Sequence, residues 1–353
     1  MKALVLSGGA GTRLRPFSYS MSKQLIPIAN KPVLEHVLEN IRELGVKDVG
    51  IIVGDRAAEI SAVVGDGGRF GIRLTYIRQD RPRGLAHCVA IARDYLADDD
   101  FVMYLGDNML PDGVRGVAEE FTARRPAAHL VVQRVPDARS FGVVETDTNG
   151  GVLRLVEKPS VPRSDLALVG VYFFTSAIHQ AVTAIRPSSR GELEITDAVE
   201  WLVRQGAEVR ATEYSGYWKD TGRVEDVLEC NQQLLDKLKS STAGDVDVGS
   251  ELTGQVVVGP GARVVRSRIR GPVVIGAGTV VEDSQIGPYV SVGRDCVLRD
   301  SGLSHSIVLD GASVSQVSGL HLSVIGRSAI VRATGSGQHR LVVGDHTRVE
   351  VVA

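Results

Sequence analysis

The sequence is short of several things, and each shortage excludes a class of protein. There is no basic excess: 40 Lys and Arg stand against 42 Asp and Glu, for a formal net charge of -2. The cationic surface with which a general nucleic-acid binder neutralises phosphates is therefore missing. Cysteines are few, and the three present, Cys88, Cys230 and Cys296, are far apart and lack C-x-x-C spacing. They read as reduced and buried, not as a disulfide framework or a zinc site. No run approaches the roughly 18 apolar residues of a membrane span. The opening MKALVL is also too short for a signal peptide's apolar region and cleavage site. The expectation is a cytoplasmic globular protein with neither nucleic-acid nor membrane partners.

What is present points to two domains. A chain of 353 residues with 43% hydrophobic residues can build more than one core. Up to about residue 240, short apolar runs alternate with helical patterns, which predicts an α/β domain with a Rossmann-like, mainly parallel sheet and helices on both faces. The strand candidates are 4–6, 49–53, 74–77, 101–105, 129–132 and 169–174. Residues 32–44 and 85–96 carry helical periodicity. At 236–247, DKLKSSTAGDVD turns small and polar, and helical periodicity stops. Aliphatic-glycine pairs then recur at Val258-Gly259, Ile275-Gly276, Ile286-Gly287, Val292-Gly293, Ile325-Gly326 and Val343-Gly344. Their near-sixfold spacing predicts a C-terminal left-handed β-helix of hexapeptide repeats, with a β-sandwich as the alternative. The expected division is 1–240 and 241–353.

The first strand, through Leu6, runs into Gly8-Gly9-Ala10-Gly11-Thr12-Arg13-Leu14. A glycine-rich turn at the end of a strand lets backbone N–H groups approach phosphates. Neither common phosphate loop fits: G-x-G-x-x-G needs glycine at Leu14, and a P-loop needs G-K-[ST] where Gly11-Thr12-Arg13 stands. Arg13, Arg15 and Lys23 follow closely and could neutralise a triphosphate.

GGAGTRLRP followed by SKQLIPIANKP resembles the signature of the sugar-1-phosphate nucleotidylyltransferases, and most closely the long-form glucose-1-phosphate thymidylyltransferases. The resemblance implies a reaction of dTTP with a sugar 1-phosphate that gives a dTDP-sugar and pyrophosphate, with Mg²⁺ as cofactor. It implies a nucleotide site of Leu6, Gly8, Gly9, Gly11, Thr12, Arg13, Gln24, Gln79 and Gly84, the last two lying in the run Gln79 to Ala86. A glutamine amide has both a donor and an acceptor for a pyrimidine edge. Asp107 ends an apolar strand and Asp220 lies in Trp218-Lys219-Asp220-Thr221-Gly222; the resemblance makes them the metal ligands. It assigns Gly142, Glu157, Lys158 and Trp218 to the sugar phosphate, and Arg13, Lys23, Asp107, Lys158 and Asp220 to catalysis. Phe141 stands where the family often has tyrosine, so a phenol contact is lost.

Other readings remain open at this point: another base, a cyclitol phosphate, or a silent sugar-nucleotide binder. Hexapeptide β-helices also carry acyltransferases on a histidine, and His305, His321, His339 and His346 lie in the tail. About 110 residues make only some six coils of about 18, which is short for that activity by fold analogy. A homo-oligomer assembled partly through the tail is expected.

Overall fold

The computed structural model describes residues 1–9, 11–333 and 337–351. The chain separates into two compact units that interleave along the sequence: Met1–Gly9 with Leu34–Asp220, and Ala10–Val33 with Thr221–Ala353.

The first unit is built on a nine-stranded sheet. Its strands are β1 (Lys2–Ser7), β2 (Asp48–Val53), β3 (Arg73–Arg78), β4 (Phe101–Leu105), β6 (Ala128–Arg134), β7 (Gly142–Thr146), β8 (Val152–Glu157), β9 (Leu166–Phe174) and β10 (Val209–Glu213). A separate two-strand ladder pairs β5 (Asn108–Met109) with β11 (Lys219–Asp220). The order β8-β7-β9-β4-β1-β2-β3 puts β1 in the interior, between β4 and β2 and parallel to both.

Alternation along these strands places helices on both faces. Leu4, Leu6, Phe101 and Met103 share a buried cluster with Ala86 and Val89 of helix Leu85–Ile91 and with Ala198 and Leu202 of helix Ile195–Arg204. Tyr104 points the other way, where its hydroxyl accepts from Asn40 of helix Val33–Glu43 at 3.1 Å. The parallel character holds for β4, β1, β2 and β3, whereas β9 runs antiparallel to β4, β6 and β7. Its direction follows from local connection: β7 and β8 form a hairpin closed by Asp147, whose carboxylate accepts from the N–H groups of Asn149 and Gly151, and no crossover helix precedes β9.

In the second unit, three parallel ladders of seven, seven and five strands wind from Ser241 onward, giving the left-handed β-helix. Val256, Val273 and Val290 stack in register, and so do Val258, Ile275 and Val292. Five of the six aliphatic-glycine pairs fall on this ladder; Ile286 belongs to another. The usual step is 17 residues, seen where Ser284 N–H donates to Ser267 Oγ, so the coil is slightly shorter than three hexapeptides. Left-handed corner residues recur at this step, as at Arg266, Asp283 and Asp300. Helix Val224–Leu235 and the segment 10–33 belong to the same unit. Asn231 Oδ1 accepts from Ala29 N–H at 2.9 Å and from Ser291 Oγ at 2.6 Å, while Asn30 Nδ2 donates to Val292 O at 2.6 Å.

Candidate active site

In open α/β sheets ligands lie beyond the carboxyl ends of the strands, and the first unit collects its candidates there. β1 delivers the chain to Gly8 and Gly9. Leu6 is a core residue whose carbonyl accepts from Gly106 N–H at 2.9 Å, so it shapes the start of the turn. Gln79 follows β3 and is only 8% exposed. Its Oε1 lies 3.4 Å from the point where a Cβ on Gly8 would stand. The amide nitrogen is 3.0 Å from His87 Nδ1 and 3.5 Å from Gly84 O. Gly84 has φ +97°, and a Cβ there would meet Leu193 O at 2.4 Å, so no side chain fits.

The two aspartates are brought together by the small ladder. Asp220 pairs directly with Asn108, the residue after Asp107. Asn108 links the group: its Nδ2 donates to Asp107 Oδ1 at 3.2 Å, and its Oδ1 accepts from the Trp218 indole at 2.6 Å. Phe141 meets the Trp218 ring edge-on at 5.3 Å, which gives the phenylalanine a packing role where a tyrosine would add a hydroxyl. Among the described residues there is no cluster of three or more His, Cys, Asp or Glu able to hold a metal. A pair of carboxylates instead suits Mg²⁺, which keeps water and substrate phosphate among its ligands.

A third group surrounds the end of β8. Gly142 lies opposite Glu157 in the β7–β8 hairpin, and a Cβ on it would clash with Leu168 and Thr196. Glu157 Oε1 is 3.4 Å from Lys158 Nζ and 3.1 Å from Arg190 Nη2, and its Oε2 accepts from Thr196 Oγ1 at 3.2 Å. Arg190 also bonds the buried Glu194 at 2.8 Å. Glu157, Lys158, Arg190 and Glu194 line a cavity of about 420 Å³ with Ser188 and Asp197. Burial, reinforced by Glu194 and Glu157, raises the pKa of the Asp197 carboxyl. A larger cavity of about 660 Å³, at 135–139 and 162–165, contains none of the candidate residues.

In the second unit, Thr12 and Arg13 sit on the single turn Thr12–Leu14, and Lys23 and Gln24 on the turn Lys23–Leu25. Thr12 and Arg13 are exposed. Gly11 has φ +62°, and a Cβ on it would lie 2.9 Å from Lys23 Cβ, so Gly11 and the lysine are packed together. Gln24 is 1% exposed; its Oε1 accepts from Ser22 Oγ at 2.6 Å. Its Nε2 is buried with no partner among the described residues, leaving a donor for a ligand's carbonyl.

Sequence reasoning gave no role to Arg190, Asn108 or His87. Asn108 follows Asp107 and His87 follows the run Gln79 to Ala86, so proximity to a motif was the available signal for these two. Of the tail histidines, His305 and His321 meet edge to face at 5.1 Å, and His321 Nδ1 lies 2.9 Å from Ser304 Oγ. His339 donates its backbone N–H to Gly319, and His346 is a left-handed corner residue.

Glycine turn, carboxylate pair and a cavity lined by both cations and carboxylates are the parts that a transferase acting on phosphate esters would use. Residues 2–237 match the nucleotidyl transferase family, and the chain belongs to it. It is 56% identical to a glucose-1-phosphate thymidylyltransferase of Streptomyces griseus, over 99% of both chains. Likeness to the enzyme of that name from Streptomyces antibioticus is 52%, again over 99% of each. A solved Bacillus anthracis structure, described as a glucose-1-phosphate thymidylyltransferase with sucrose, is 33% identical with a TM-score of 0.62 and covers 66% of this chain and 94% of its own.

Proposed function

We propose that the protein transfers a thymidylyl group from dTTP to glucose 1-phosphate, releasing pyrophosphate and forming dTDP-glucose. The observation that carries this reading is the full-length likeness to two streptomycete enzymes named for that reaction. A phosphate oxygen of the sugar ester forms the new bond to the α-phosphorus. The bond from that phosphorus to the bridging oxygen breaks opposite, and its electron pair leaves with pyrophosphate. Such a transfer needs placement and charge neutralisation more than a side-chain nucleophile. The attacking phosphate is already ionised at neutral pH, so no strong base is required.

Each group has its task in this reading. Gly8, Gly9, Gly11 and Thr12 offer backbone N–H groups to the triphosphate, and Arg13 and Lys23 offset charge on the leaving pyrophosphate. Lys158 holds the sugar phosphate, joined by Arg190; Glu157 accepts from sugar hydroxyls, with Gly142 and Trp218 shaping that part. Asp107 and Asp220 would hold Mg²⁺, which when bound supplies positive charge to the phosphate oxygens. Gln24 and Gln79 read the base, Gly84 giving Gln79 its place. The domain carrying the chemistry is taken as 1–240 and the β-helix as 241–353, in a cytoplasmic homo-oligomer whose mass in solution sedimentation would give; a monomer at all concentrations would remove that part.

Thymine should be preferred, with uracil accepted more slowly because its missing methyl forgoes only about 0.8 kcal/mol of burial. Purines should be poor, since unpaired buried polar groups cost about 1 to 3 kcal/mol each. The test is pyrophosphate release from a panel of sugar 1-phosphates against dTTP, UTP, ATP and GTP. A higher kcat/KM with ATP or GTP than with dTTP would overturn the assignment.

A further inference from the structure

We propose that His87 fixes which way the Gln79 amide faces, and thereby makes the site accept thymine or uracil and reject cytosine. The inference rests on Gln79 reading the base. A glutamine amide has two ends of nearly equal shape and opposite polarity. Thymine and uracil present a ring N–H between carbonyls, whereas cytosine presents a bare ring nitrogen beside an amine. An amide free to turn over could pair with either pattern. One held in a single orientation cannot.

Two neighbours hold this one. The carbonyl of Gly84 can only accept, and it lies 3.5 Å from Gln79 Nε2. That end of the side chain is therefore the NH₂. The same nitrogen lies 3.0 Å from His87 Nδ1, so Nδ1 must accept and the ring proton must sit on the other nitrogen. The Gly84 carbonyl is itself well placed, because the flanking backbone is tied to Leu193 on both sides: Leu193 N–H donates to Arg83 O at 2.8 Å, and Ala86 N–H donates to Leu193 O at 3.0 Å. His87 stands on helix Leu85–Ile91, which fixes its ring relative to that backbone.

With Nε2 held, Oε1 is turned toward Gly8 at the end of the first strand. An acceptor there suits a lactam N–H and opposes the lone pair of cytosine. Burial lowers the imidazole pKa, with Arg83 adding to the effect and Asp80 opposing it, so Nδ1 keeps its lone pair at neutral pH. A protonated ring would present two donors to the NH₂ and lose the hold.

The experiment compares the inhibition constant of dCTP with the KM for dTTP in four proteins: parent, His87→Phe, His87→Asn and Gln79→Leu. Phenylalanine keeps the ring and removes the acceptor. Asparagine can place its Oδ1 where Nδ1 was. In His87→Phe the discrimination should fall roughly tenfold, the scale of one neutral hydrogen bond at about 1.4 kcal/mol, with kcat at saturating dTTP near the parent's. His87→Asn should recover most of it. Equal losses in Phe and Asn variants would mean that the ring merely packs, and the inference would be wrong. Parent-like discrimination in His87→Phe, with Gln79→Leu impaired, would leave the base reading standing and remove His87 from it. Unchanged discrimination in Gln79→Leu would overturn the base reading and the inference together. Should His87→Phe melt early, His87→Leu, equally without an acceptor, serves in its place.

Discussion

Both regions of the molecule bury polar side chains, but they do so by opposite rules. In the β-helix the buried serines recur coil by coil. Ser284 N–H donates to Ser267 Oγ at 3.0 Å and Ser301 N–H to Ser284 Oγ at 3.1 Å; each hydroxyl then donates to a carbonyl two residues back. The hydroxyl satisfies backbone at the corner of each coil, and its neighbours are copies of itself. In the sheet region, Gln79, Asp107, Asn108 and Glu194 are buried as well. Their partners are side chains and carbonyls different in each case, from the neighbouring Asn108 on Asp107 to the distant Trp218 on Asn108, and none of these contacts recurs at a fixed step. Polarity that recurs serves the fold. Polarity that occurs once, at strand ends, is where chemistry should be sought.

The comparison breaks if the single-occurrence groups prove dispensable. Asp107→Asn and Asp220→Asn should each reduce kcat by about a hundredfold or more, since a metal's charge stabilisation amounts to several kcal/mol, while the melting temperature stays near the parent's. Full Mg²⁺-dependent turnover in both would make these carboxylates structural. Next in size, Lys158→Met should raise KM for glucose 1-phosphate roughly tenfold to a hundredfold, the range of a charge-assisted hydrogen bond worth about 1.5 to 3 kcal/mol; an unchanged KM would remove the lysine from that role.

The recurring groups should fail in the other direction. Ser284→Ala leaves the Ser301 N–H without its acceptor inside the coil. A loss of about 1 to 3 kcal/mol in unfolding free energy is expected, with kcat and KM unaltered; impaired turnover at full stability would contradict the distinction. The smallest effect is shared by both regions. Burial pushes the Cys88 thiol up to about 12 and the Cys296 thiol up to about 11, so neither offers thiolate at neutral pH. Iodoacetamide should leave both unlabelled until the protein unfolds, as mass spectrometry would show.

Much of this arrangement was legible in the sequence because it is written in short-range pattern. Apolar runs such as Phe101 to Leu105 and Val169 to Phe174 marked strands, and Val258, Ile275 and Val292 marked one side of the coil. The glycine-rich turn starting at Gly8 signalled close approach to phosphate before any neighbour was known, whereas Gly84 and Gly142 came only through the family resemblance. The reversal of β9 was not legible, since it depends on a hairpin turn made by Asp147 rather than on strand composition. For Asn108 only its place after Asp107 was legible; its bond to Trp218, 110 residues away, was not. The membership of 10–33 in the coil's unit lies beyond local pattern for the same reason, since Ala29 and Asn30 bond to residues 202 and 262 positions distant.

Anchoring of the 10–33 segment within the coil's unit ties ligand binding to the stability of that unit. Arg13, Lys23 and Gln24 lie in a segment whose end is bonded to Asn231 and to Val292 in the wall of the coil. Whatever these three residues bind, they bind only while that segment is folded, and mass action then favours every state in which it remains so. Saturation with a nucleotide would be read as slower hydrogen exchange at the amides of Asn231 and Val292 and their neighbours. A β-helix that takes no part in the reaction would thus act as a reporter of ligand occupancy, and a destabilised coil would surface as weakened affinity.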